Sequence, residues 1–167
     1  RIHQLAFFDA LTGLPNRAMF HTSADLALSD LRQSGLPGAL LFVDLDNFKD
    51  LNDTQGHELG DQLLRQVAAR LTGCVRMGDT VARLGGDEFV VALPNTELEQ
   101  AMQFAHRLHD RLREELSLFE VDGVVITASM GVTTLQPEDR TFEDSIKGAD
   151  QTLYEAKNHG QDRIVAA

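Results

Sequence analysis

The stretch "DTVARLGGDEFVVALP" (residues 79–94) constrains the fold more than any other. Two apolar runs flank a Gly-Gly-acid centre, the pattern of a hairpin whose strands pair antiparallel. Such a hairpin in mid-chain argues against an all-parallel, doubly wound sheet. Adjacent glycines weaken a strand and adjacent acids repel one another. The turn must therefore serve a need other than stability: close approach to the backbone, and a positive charge to neutralise Asp87 and Glu88.

The remaining segments supply a layered domain. "ALLFVDLD" is an apolar run ending in acids, which predicts a buried central strand. Gly13 and Pro15 break the incoming segment "RIHQLAFFDAL", expected to be the end of a helix, and Asn16 caps a helix from about Arg17 to Arg32. "HELGDQLLRQVAARLTGCV" carries Leu63, Leu64, Val67, Ala68 and Leu71 at helical spacing. "TELEQAMQFAHRLHDRLREEL" predicts an amphipathic helix and "VVITASMGVTTL" a strand. "TFEDSIKGADQTLYEAKNHG" predicts a last helix closed by Gly160, followed by a short strand "RIVA". The order α-β-α-β-β-α-β-α-β gives an α/β (α+β) fold, a central mixed, largely antiparallel sheet flanked by helices. Residues 1–16 are expected to form the incoming helix end and a wide turn, and residues 17–167 a single domain excised from a longer protein.

A formal charge of −11 sets the partners. So acidic a surface repels nucleic-acid backbones and anionic membranes. An anionic small ligand needs local cations or a bridging metal. No apolar run reaches bilayer length, no signal peptide is evident, and the lone Cys74, expected to be a buried thiol, forms no internal disulfide; a cytoplasmic, reducing location follows.

Asp44 and Asp46 end the first strand, and Asp87 and Glu88 occupy the hairpin turn. If those strands are neighbours, Asp44 and Asp87 converge and must share a proton or a cation. Magnesium suits two carboxylates completed by water and phosphate oxygens. Taken alone, the acids read equally well as solvated turn residues.

"GGDEF", with "DLDNFKDLND", "GHELGD", "DALTGLPNR" and "YEAKNHG" in order, resembles the GGDEF-domain diguanylate cyclases over nearly the whole chain. The resemblance implies a fold like the polymerase palm and nucleotide cyclases. It also implies a reaction in which two GTP condense to cyclic di-GMP and two pyrophosphates, with Mg2+ (or Mn2+) as cofactor. By the same resemblance Asp44, the Leu45 carbonyl and Asp87 would hold the metal. Glu88 would take the proton from the 3′-hydroxyl, and Lys49 would stabilise charge on phosphate. Asn47 and Phe48 would offer backbone N–H groups to the triphosphate, and Gly85 and Gly86 would admit the nucleotide. Asn52 and Asp61 would read guanine, His57 would touch substrate, and Lys157 would bind phosphate. Arg76 and Asp79, in "RMGD", match an RxxD site for inhibitory product, which Arg107 or Arg111 of a neighbouring chain would complete. With one half-site per chain, catalysis would need a homodimer, brought together by attached sensory or effector domains. Neither nucleic acid nor direct membrane contact is implied.

One departure stands out. The family commonly continues "AK..GR", whereas this chain has Gln161 in the arginine's place, with Arg163 nearby as a substitute. Gln161 supplies no charge to phosphate, which bears on GTP affinity. Two rivals remain. "FVDLDNF" also resembles the D-x-D-x-[TV] loop of haloacid-dehalogenase-like phosphatases, but Phe48 would occupy the Thr/Val place and the hairpin would go unexplained. The other is a silent GTP-binding module that regulates an attached domain, which retention of Asp44, Asp87, Glu88 and Lys49 argues against.

Overall fold

The structure, a computed structural model, describes residues 6–139 and 141–166. Its elements run α1 (Arg17–Ser34), β1 (Gly38–Asp46), α2 (Phe48–Gln55), α3 (His57–Cys74), β2 (Thr80–Gly85), β3 (Glu88–Pro94), α4 (Leu98–Ser117), β4 (Thr127–Thr134), α5 (Phe142–Asn158) and β5 (Ile164–Ala166). The sheet order is β2-β3-β1-β4-β5. β1 pairs antiparallel with β3 and β4, and β5 alone runs parallel, against β4. The expected mixed, largely antiparallel sheet is thus present, with the hairpin β2–β3 at one side.

β1 is central because it is apolar on both faces. Leu41 and Val43 face one way, with Phe89 and Val91 of β3, and α3 and α4 bury them with Leu63, Val67, Leu71, Leu108 and Leu112. Leu40 and Phe42 face the other way, where Phe20, Ala24 and Leu28 of α1 and Leu153 of α5 cover them. The period-two alternation of a strand sorts these residues into two cores.

The ends of α1 follow the sequence. The Asn16 side chain accepts the Met19 N–H at 3.1 Å, and Gly35 takes the left-handed conformation (φ 73°) that closes the helix. The helix runs to Ser34, two residues past the expected Arg32.

Two expectations need correction. The sequence pattern places one helix between β1 and the hairpin, whereas the chain forms two. The helix α2, "FKDLNDTQ", buries only Phe48 and Leu51, too few positions to display a helical period. Gly56 (φ 88°) separates it from α3. Cys74 is partly exposed, not buried, because it ends α3 at the rim of the core.

Of the expected incoming helix, residues 1–5 lie outside the described residues, and Ala6 and Phe7 are helical. The following turn is held by Asp9, which accepts from the Thr12 N–H at 2.8 Å and hydroxyl at 2.7 Å. Among the described residues, no helix is long and apolar enough to cross a membrane.

Candidate active site

β1 and β3 carry their acids to the same edge of the sheet. Asp44 pairs with Glu88 in register, and the Leu45 N–H donates to the Asp87 carbonyl at 3.2 Å. The hairpin turn is thereby stitched to the residue that follows Asp44. Gly85 (φ 144°) and Gly86 (φ 50°) form that turn in backbone conformations that disfavour a side chain. A Cβ on either would meet nothing within 4 Å, so the space above them is open.

Asp44 is electrostatically frustrated. Burial first, then the charge of Asp87, pushes its carboxyl up to about 7, against the pull of Lys157. Its Oδ1 is buried and has no hydrogen-bond partner. Glu88 is raised as well, by burial and then by Asp87 and Asp150, with Arg17 and Lys157 opposing. A buried orphan oxygen among convergent carboxylates fits a divalent cation. Among the described residues, no cluster of three or more His, Cys, Asp or Glu side chains offers an all-protein cage, so such an ion would rely on other oxygens.

Immediately after β1 the chain turns through Asn47 in the left-handed conformation (φ 66°) and starts α2. The Asn47 side chain donates to the Val125 carbonyl at 2.8 Å instead of capping the helix. The N–H groups opening α2, including that of Phe48, therefore have no side-chain cap, which is how a helix N-terminus receives an anion. Lys49, in that first turn, is exposed and makes no ion pair among the described residues.

Asn52 and Asp61 come from adjacent helices, α2 and α3. Gly60 allows them to approach: a Cβ there would lie 1.9 Å from Asn52 Oδ1. That oxygen is buried and unpaired, an acceptor without a donor. Asp61 is half-buried, and His57 is exposed at the first position of α3.

Lys157, near the end of α5, reaches the same strand end. Its ammonium contacts Asp46 Oδ1 and lies 3.5 Å from Asp44 Oδ2. Gln161 and Asp162 follow in positive-φ conformations (60° and 48°). Arg163 folds back, its Nε donating to the Gln161 carbonyl at 3.2 Å.

Arg76 and Asp79 lie in the segment before β2, at the opposite end of that strand from the glycine turn. The Arg76 Nε donates to Asp79 Oδ1 at 3.3 Å, and its Nη2 donates to the Pro94 carbonyl at 2.7 Å and Thr96 Oγ1 at 2.8 Å. They line a hollow of about 280 Å³ with Gln100, Phe104 and Arg107. Arg107 thus reaches this hollow within the same chain, whereas Arg111 lines an adjoining one.

Three residues take roles here that the sequence reading does not assign. Asp46 is fully buried and accepts from Thr127, Ser129, Lys157 and the Asp162 N–H. His109 of α4 is buried, its Nε2 at 2.9 Å from Asp162 Oδ1 and 3.1 Å from the Ala128 carbonyl. Arg83 bridges Asp9 (3.0 Å) and the Gly86 carbonyl (2.8 Å), joining the N-terminal turn to the glycine hairpin. Apart from Arg83 and Gly86, which share one turn, the partners are distant in sequence, and chain topology brings them together.

Known proteins resemble this chain in sequence and in fold. A family model described as "Diguanylate cyclase, GGDEF domain" matches residues 6–163. The response regulator PleD of Caulobacter vibrioides is 39% identical over 166 residues, covering 97% of this chain and 36% of PleD. Diguanylate cyclase DgcP of Pseudomonas aeruginosa is 38% identical over 164 residues, covering 98% of this chain and 24% of DgcP. The chain therefore spans well under half the length of these curated relatives. Among solved structures, diguanylate cyclase SiaD of Pseudomonas aeruginosa, in complex with its activator SiaC, matches with a TM-score of 0.89 at 33% identity, covering 99% of this chain and 64% of SiaD's. The GGDEF domain of DgcB from Caulobacter crescentus, in complex with c-di-GMP, matches with a TM-score of 0.88 at 30% identity, covering 96% of this chain and 95% of that one. Sequence and fold agree over almost the whole length, and the chain belongs to the GGDEF-domain family of diguanylate cyclases.

Proposed function

We propose that this domain condenses two GTP into cyclic di-GMP and two pyrophosphates, dependent on Mg2+. The supporting observation is the convergence of Asp44, at the end of β1, with Asp87, in the hairpin turn bonded to Leu45, with a buried Asp44 oxygen left unpaired. Asp44, Asp87 and the Leu45 carbonyl would hold the ion, which when bound neutralises phosphate charge and polarises the α-phosphate.

The chain's own residues do the rest. Asn52 Oδ1 and the Asp61 carboxylate accept from guanine N–H groups, an edge that adenine does not offer, and His57 is the further substrate contact. The opening N–H groups of α2, at Asn47 and Phe48, face the triphosphate, with Lys49 and Lys157 as cations. Gly85 and Gly86 leave room for the nucleotide. Glu88, whose carboxyl burial and then the charge of Asp87 push upward, is a better proton acceptor than a solvated acid and takes the proton from the 3′-hydroxyl. Each 3′-oxygen forms a bond to the facing α-phosphorus as pyrophosphate leaves. One chain positions one GTP, so two chains must meet, and attached domains would bring them together. Product held at Arg76 and Asp79, with Arg107, would separate the half-sites. The lone Cys74 fits a cytosolic domain.

The alternative is a module that binds GTP without turnover, which retention of Asp44, Asp87, Glu88 and Lys49 argues against; Gln161, which brings no charge to phosphate, bears on affinity and not on turnover. One assay separates the two. Incubation with GTP and Mg2+ should yield cyclic di-GMP, ATP should yield no cyclic product, and Asp87→Ala should be inactive with unchanged circular dichroism. GTP binding without product would establish the silent module; equal turnover by Asp87→Ala would remove Asp87 from the site.

A further inference from the structure

We propose that Asp46 is a positioning residue for this site, one that sets GTP affinity by holding the Lys157 ammonium beside Asp44 without touching nucleotide itself. The proposal rests on the reading that Lys157 meets the triphosphate. Asp46 has no solvent exposure, a costly place for a carboxylate unless every lone pair is used. They are used. Thr127 Oγ1 donates at 2.6 Å, Ser129 Oγ at 2.8 and 2.9 Å, the Asp162 N–H at 3.0 Å, and Lys157 completes the set.

Three of these donors come from β4 and the turn after α5, so the carboxylate is fixed before the lysine arrives. Lys157, 26% exposed, is the partner that also reaches a proposed metal ligand, at 3.5 Å from Asp44. A free lysine side chain would lose its rotamer freedom on meeting phosphate, whereas this one is already ordered. A tether serving only to dock α5 would need no contact with Asp44.

The experiment measures binding of a non-hydrolysable GTP analogue with Mg2+, and kcat and KM for GTP, in wild type, Asp46→Asn, Lys157→Met and the double variant. Asp46→Asn should weaken binding and raise KM about tenfold, the scale of one charged hydrogen bond, with a smaller change in kcat. The same substitution in the Lys157→Met background should change neither, because the cation it positions is gone. A merely structural role would lower the melting temperature in both backgrounds and leave affinity unmoved, or weaken it equally in both; either result overturns the proposal. Should Asp46→Asn not fold, Ser129→Ala loosens the same carboxylate while keeping its charge. It should raise KM about threefold in wild type and not at all with Lys157→Met, and equal effects would again refute the tether. Wild type that fails to bind the analogue overturns the reading of the whole site; wild type that binds it as tightly as Asp46→Asn overturns this inference alone.

Discussion

Asp44 on β1 and Glu88 on β3 are register partners, so the two strands present carboxylates at one sheet edge while Asp87 crowds them from the turn. With metal chelated, Asp44 keeps its proton up to about pH 7 instead of the usual carboxylate range. Between those limits the folded chain holds more protons than the unfolded one, so this group's contribution to stability falls as pH rises from about 4 to about 7. Asp44→Asn should gain on wild type across that window, by a few degrees in melting temperature. Added Mg2+ competes with the proton and should stabilise wild type more at about pH 8 than at about pH 5.5. Thermal scans with chelator and with Mg2+ test both, and a flat difference between the two proteins would return Asp44 to an ordinary acid.

Gly60 makes room for Asn52. Alanine at this helical position is otherwise favourable by about 1 kcal/mol. Its Cβ would nevertheless fall 1.9 Å from Asn52 Oδ1 and 3.3 Å from Phe48 Cζ, and Asn52 must swing away. Gly60→Ala should therefore fold normally yet weaken GTP binding by about 1.5–3 kcal/mol, and Asp61→Ala by a similar amount. Titrations that overlay wild type in both variants would place the guanine contacts elsewhere.

Arg83 ties the chain's N-terminal turn to its glycine hairpin. Its side chain is 13% exposed and that of Asp9 20%, so water screens the pair only in part. Arg83→Met also frees the Gly86 carbonyl, and urea unfolding should register a loss of about 2–4 kcal/mol. Asp9→Ala should cost less in the Arg83→Met background than in wild type, since the Asp9–Arg83 pair is lost only once, while Asp9's bonds to Thr12 are lost in both. Fully additive losses would mean that the bridge is not a unit.

Legibility in the sequence followed periodicity and punctuation. The apolar alternation of "ALLFVDLD" and the glycines of "LGGDEF" declared a central strand and a hairpin, and their pairing follows from how a hairpin packs. Helix α2 was missed because a polar eight-residue segment with two buried side chains carries no period. Asp46 stands in the sequence as one acid of the strand-end cluster, without a role of its own, because sequence cannot tell a buried carboxylate from an exposed one. Its donors lie 81 to 116 residues away. The same holds for His109 and Arg83, whose partners are supplied by topology.

The last prediction concerns assembly and feedback. In the proposed reaction one Asp44–Asp87 pair would position one GTP, and each 3′-hydroxyl would face the other nucleotide's α-phosphate, so turnover would require two chains face to face. Specific activity of the isolated domain should rise with its concentration and then saturate. Arg76 and Asp79 lie at the other end of β2 from the glycine turn, in a hollow that also contains Arg107, so product bound there need not displace GTP. Inhibition by cyclic di-GMP should accordingly be non-competitive with GTP. Arg76 also donates to the Pro94 carbonyl and Thr96, so Arg76→Ala should melt slightly earlier while keeping its initial rate. It should lose product inhibition, and Arg107→Ala should weaken it without the melting penalty. Activity proportional to concentration in a proven monomer would refute the half-site arrangement, and undiminished inhibition in both variants would refute the feedback hollow.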